Sequence, residues 1–141
     1  SSGPEGVRDA IELLGAERID HGVRAIEDAA VVGLLAERGI PLGICPTSNL
    51  KLGVCRAIEE HPIERLRAAG VKVSVNTDDP VLLGTSLVAE IALCRAAFGW
   101  SDHVLREVAR TSIDASFADE SLKYRLRQRL AGWAPAGEPS S

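Results

Sequence analysis

One pattern restricts this chain more than any other: a helical stretch closed by glycine, a short apolar run, then polar residues, repeated three times. The helical stretches are residues 7–14 before Gly15, 29–38 before Gly39 and 63–69 before Gly70. Glycine just past a last turn suits the left-handed residue that ends a helix, because it has no Cβ to clash. The apolar runs that follow are residues 18–19, 40–45 and 71–76. Helix alternating with short strand in this order marks parallel βαβ units. Val71, Val73 and Val75 recur at every second position, while Pro41 to Cys45 is apolar nearly throughout, so the strands are expected to be covered on both faces.

Helices alone follow the third strand. Residues 87–97 form one, and Ser101 suits the N-cap of another that aligns Val104, Leu105, Val108 and Ser112. Leu122, Leu126 and Leu130, spaced by four, predict a final amphipathic helix. Residues 1–131 therefore read as one α/β domain, and 132–141, rich in Pro, Gly and Ser, as a flexible tail. Three parallel strands do not close a barrel. They form either a small open sheet or one arc of a larger structure, and a (β/α)₈ TIM barrel typically takes about 250 residues.

Composition excludes some classes of partner. The formal net charge is −4, and Arg24, Arg38, Arg56, Arg65 and Arg67 are interleaved with Glu rather than gathered in a stripe. That argues against nucleic acid and against an anionic membrane. Apolar stretches fall far short of the roughly 20 residues that span a bilayer. Ser1 to Asp9 has neither a basic start nor an apolar run, so no signal peptide is expected in this stretch. Cys45, Cys55 and Cys94 are odd in number and form no C-x-x-C pair, which points to a reducing, cytoplasmic setting.

Functional groups in parallel sheets gather where strands end at their carboxyl edge. The three edges here are Arg18-Ile19-Asp20-His21-Gly22, Cys45-Pro46-Thr47-Ser48-Asn49 and Asn76-Thr77-Asp78-Asp79-Pro80. Adjacent Asp78 and Asp79 repel if buried together, a cost that metal coordination removes. Asp-Asp-Pro also opens solvated turns, and a lone His21 is often structural. The co-location of all three edges favours a site.

In order and spacing, Arg18-Ile19-Asp20-His21-Gly22-Val23, Cys45-Pro46-Thr47-Ser48-Asn49, His61-Pro62 and Val73-Ser74-Val75-Asn76-Thr77-Asp78-Asp79-Pro80 resemble the adenosine/adenine deaminase family. The resemblance runs from about Gly3 to about Arg129. It implies the C-terminal portion of a (β/α)₈ barrel, about three parallel strands with flanking helices, followed by C-terminal helices. It further implies one catalytic Zn²⁺ that activates water to attack C6 of a 6-aminopurine and release ammonia. By motif, Asp78 corresponds to the zinc-ligand carboxylate of the last strand. Asp79 corresponds to the residue that hydrogen-bonds the purine and helps place the hydroxide, and His21 to the residue that stabilises charge at the attacked carbon.

Departures from the family pattern are equally informative. The family takes zinc ligands from a His-x-His pair and from a His-Ala-Gly-Glu element whose Glu shuttles protons, and neither occurs here. The resemblance places Ser1 just after the second of these, so the chain alone is expected to be inactive. His61, before Pro62, reads as structural and His103 as solvated; Lys51 reads as a surface residue. The partner implied is a small purine base or nucleoside. An alternative is a non-catalytic half-barrel remnant that self-associates or pairs with a separate N-terminal half, because both sheet edges would be open. A phospho-acceptor receiver domain fits poorly, since the acidic pair closes the last strand and no Lys follows it.

Overall fold

The computed structural model describes residues 3–133. In chain order the elements are α1 (Pro4–Glu12), β1 (Ile19–Asp20), α2 (Ala29–Arg38), β2 (Leu42–Ile44), α3 (Pro46–Lys51), α4 (Ile63–Ala68) and β3 (Val73–Val75). Then follow α5 (Pro80–Leu83), α6 (Leu87–Phe98), α7 (Asp102–Asp114) and α8 (Glu120–Ala131). Short 3₁₀ turns at Val23–Glu27 and Ile58–Glu60 lead into α2 and α4. The strands form one parallel sheet in the order β1-β2-β3.

Local chemistry sets the helix ends. The Asp28 carboxylate accepts the N–H groups of Ala30 and Val31 and pairs with Arg8 of α1 at 2.9 Å, fixing where α2 begins. At its other end Gly39 adopts φ 63° and donates to Ala36 and Leu35 carbonyls. Ser86, Ser101 and Asp119 cap α6, α7 and α8 in the same way.

Register decides which face of the sheet is apolar. Ile19, Leu42 and Val73 lie side by side, as do Asp20, Gly43 and Ser74. Because side chains alternate along a strand, Ile19, Leu42, Ile44, Val73 and Val75 share one face and join Val31, Leu35 and Leu66 in the core. The other face carries Asp20, Gly43 and Ser74. All residues of β2 and β3 are buried, as expected of strands covered on both faces, but the second face is polar and borders a cleft. Gly43 is bare there for a reason. Its missing Cβ would collide with the Asp20 carboxylate and the Asn76 amide, which occupy that space.

Several boundaries differ from those the sequence suggests. β1 includes Asp20 and excludes Arg18, and α1 stops at Glu12, leaving Leu13 and Leu14 exposed. The stretch after β2 is helix α3 rather than a simple turn, with Pro46 at the first helical position, where its missing N–H costs nothing. α8 has no fully buried residue. Among its ties to α7 are Arg127, which meets Asp114 at 2.6 Å, and Lys123, which reaches the Asp114 carbonyl at 3.3 Å. Of the expected tail, Gly132 and Trp133 follow α8, and the rest lies outside the described residues. No helix among the described residues is long and apolar enough to cross a membrane.

His61 is a structural residue, as its place before Pro62 suggests. It is 2% exposed, its Nδ1 accepts the Ile63 N–H at 3.1 Å, and its Nε2 faces Asn49 Oδ1 at 3.0 Å. The two contacts define one neutral tautomer with the proton on Nε2. Burial pushes its pKa down to about 4. The unfolded chain takes up a proton near pH 6.5, the folded one only near 4. Stability therefore falls as pH drops through that window, by up to roughly 3 kcal/mol. Denaturant midpoints measured between pH 7 and 4 should show this fall, and His61→Gln should flatten it.

Candidate active site

The carboxyl ends of the three strands open on one cleft of about 540 Å³, whose lining includes Arg18, Asp20, His21, Cys45, Ser74, Asn76, Thr77 and Asp78. β1 delivers His21, which donates its backbone N–H to Gly43 O at 2.6 Å. β3 delivers Asp78. Among the described residues, His21 (φ 67°) and Asp78 (φ 59°) are the only non-glycine residues with positive φ. Left-handed backbone costs an ordinary residue about 1–3 kcal/mol, and such strain concentrates at functional sites. Both residues also border a second, adjoining cleft with Asn49, Leu52 and Val54.

Asp78 is exposed, but one of its oxygens is fixed: Oδ2 accepts the Ser48 hydroxyl at 2.7 Å, and Ser48 is 1% exposed. The neighbouring carboxylate behaves differently. Asp79 Oδ1 caps α5 by accepting the Leu82 N–H at 3.0 Å, and Asp79 is not part of the lining of the main cleft. The structure thus brings His21 and Asp78 together and sets Asp79 at the start of the next helix. Cys45 lines the same cleft. Burial, with a contribution from nearby Asp78, pushes its thiol up to about 11.

On the polar floor Arg18 pairs with Asp20 at 3.1 Å, reaches the Ala115 carbonyl at 3.4 Å and lies over the Phe117 ring. The start of β1 is thereby tied to the end of α7. His103 is solvated beside Glu107, and Lys51 donates to the Leu83 carbonyl at 2.7 Å. The latter joins the end of α3 to α5 rather than serving the cleft.

Two contributors escape sequence reasoning. Ser48 sits in a strand-end motif, yet nothing in the motif says that its hydroxyl meets Asp78. Glu90 is fully buried and accepts Thr47 N–H at 3.0 Å and Thr85 Oγ1 at 2.7 Å. Its sequence signal is real: Glu90 is the one charged residue between Leu87 and Cys94.

Asp78 fits one position of a zinc site, as a carboxylate at a strand end with one oxygen already oriented by a hydroxyl. Among the described residues no group of three His, Cys, Asp or Glu side chains stands close enough to hold a metal.

A parallel sheet with helices between its strands, and polar groups collected at its carboxyl edge, has the α/β architecture of one arc of a (β/α)₈ barrel. The solved adenine deaminase of Arthrobacter aurescens superposes with a TM-score of 0.90 at 32% identity, covering 94% of this chain and 41% of that one. The adenosine deaminase family model matches residues 1–133, and the chain belongs to that family. Among curated relatives, the adenine deaminase of Agrobacterium fabrum is 45% identical over 128 residues, 91% of this chain and 39% of its own length. An amidohydrolase from Burkholderia ambifaria, solved with bound Zn, gives a TM-score of 0.82 at 28% identity, covering 92% of this chain and 36% of that one. The chain thus spans about two-fifths of the length of the curated relatives it matches.

Proposed function

We propose that this chain is the C-terminal portion of a zinc-dependent purine deaminase that hydrolyses the amino group of a 6-aminopurine. The observation that carries the reading is that His21 and Ser48-oriented Asp78 line one cleft, both on left-handed backbone, at the sheet's carboxyl edge. Relatives that are adenine deaminases, and a neighbour solved with zinc, support it.

Zinc, when bound, supplies Lewis acidity that makes water a nucleophile near neutral pH. The residues of this chain do the rest of their share by position. Asp78 is the carboxylate ligand, kept in one rotamer by the Ser48 hydroxyl. His21 donates a hydrogen bond that stabilises charge developing beside the attacked C6. Asp79 is proposed to meet the purine on its motif alone: in the structure its Oδ1 caps α5, and it stands beside the cleft rather than in its lining. Water contributes the new oxygen, and the amino group leaves as ammonia.

The polypeptide as its gene encodes it, loaded with zinc, should release ammonia from adenine or adenosine. Residues 1–141 alone should release none, because the other ligands are absent from this sequence. Failure of the zinc-loaded polypeptide on every 6-aminopurine would overturn the reading. A second reading, a half-barrel that pairs with another chain, is favoured by the sheet edges: among the described residues neither β1 nor β3 has a further strand partner. A polypeptide of this length that acquires activity only on mixing with a separate N-terminal half would establish it.

A further inference from the structure

α3 is only six residues long, yet nearly every side of it is tied to a distant part of the chain. Thr47 N–H reaches Glu90, Ser48 reaches Asp78, Asn49 meets His61, and Lys51 reaches the Leu83 carbonyl. Three of these ties are readily understood: they orient the candidate ligand, seat α4 and hold α5. The fourth is unusual. A carboxylate at 0% exposure is expensive to bury, and Glu90 makes no salt bridge among the described residues. Its two oxygens are instead divided between two donors on different segments: Oε2 takes Thr47 N–H at the head of α3, and Oε1 takes the Thr85 hydroxyl just after α5.

Those segments flank Asp78. α3 presents the Ser48 hydroxyl to it, and α5 begins at the residue after Asp79. An apolar side chain at position 90 would leave the part-buried Thr47 amide without its partner and free the first turn of α3 to shift. Ser48, the next residue, would shift with it.

We infer that Glu90 is a positioning residue for Asp78, acting through Thr47 and Ser48: the buried carboxylate sets α3 so that the Ser48 hydroxyl holds Asp78 in its ligating rotamer. The inference rests on the reading of Asp78 as a zinc ligand. It adds a residue remote from the cleft lining to the support of that ligand.

The test uses the polypeptide as encoded, with zinc release to a chelator and hydrogen exchange as readouts. Glu90→Leu should speed zinc release by about tenfold, the lower end of what losing outer-shell support costs. Glu90→Gln, which keeps an acceptor for Thr47 N–H, should restore most of the difference. Ser48→Ala should speed release similarly, and the double variant should be no faster than either alone, because both remove the same constraint. Exchange at the amides of residues 47–49 should rise about tenfold in Glu90→Leu, with residues 73–75 unchanged. Wild-type zinc release from a folded Glu90→Leu protein, or effects that multiply with Ser48→Ala, would overturn the inference. If Glu90→Leu does not fold, Glu90→Asp, one methylene too short to reach Thr47, replaces it. If the wild-type polypeptide takes up no zinc, the deaminase reading fails separately. The positioning role is then decided by the structure of the variant: a displaced Ser48 supports it, and an intact Ser48–Asp78 bond overturns it.

Discussion

Asp78→Ala is expected to remove zinc from the intact polypeptide, taking metal content from about one ion per chain to below about a tenth, because a first-row cation would lose one of its few protein ligands. Metal analysis after dialysis against a weak chelator measures this directly. The expectation follows from placement: Asp78 stands at the end of β3, on the cleft, with Oδ2 held by Ser48 at 2.7 Å. Asp78→Gly is the informative companion. Both substitutions remove the carboxylate, but glycine also relieves the positive φ of 59°. Asp78→Gly should therefore be more stable to denaturant than Asp78→Ala by about 1 kcal/mol, with equal loss of metal. Stoichiometric zinc in either variant would remove Asp78 from the ligand set.

His21→Ala is expected to behave in the opposite way, keeping its zinc while turnover falls by about 10² to 10⁴, the usual worth of a positioned acid–base or charge-stabilising group. The fall belongs in kcat more than in KM, since the proposed contact strengthens as charge develops at C6. His21→Asn, which retains a donor and tolerates left-handed backbone, should recover part of the loss. Near-normal turnover in His21→Ala would leave the residue only its backbone bond to Gly43.

The parallel architecture was legible because several helix ends are marked by the residues beside them. Asp28 and Gly39 frame α2 at the residues the pattern implies, and Ser101 caps α7 as expected. Such signals act over one turn of backbone, so they survive in a bare sequence. Asp79 shows where local reading thins out. Its neighbour Pro80 marks a turn, and Asp79 indeed caps the four-residue helix α5. The same carboxylate cannot be assigned to a substrate from sequence order alone.

The sequence by itself determined the order of helices and strands, the polar strand ends and the family motifs, because periodicity, caps and turn residues are properties of neighbours along the chain. Only the tertiary structure decided that one sheet face is polar, that Ser48 rather than another hydroxyl meets Asp78, and that Glu90 lies under Thr47. Those contacts join residues 30 and 43 positions apart. Strand register and helix packing bring them together, and neither is written in local spacing.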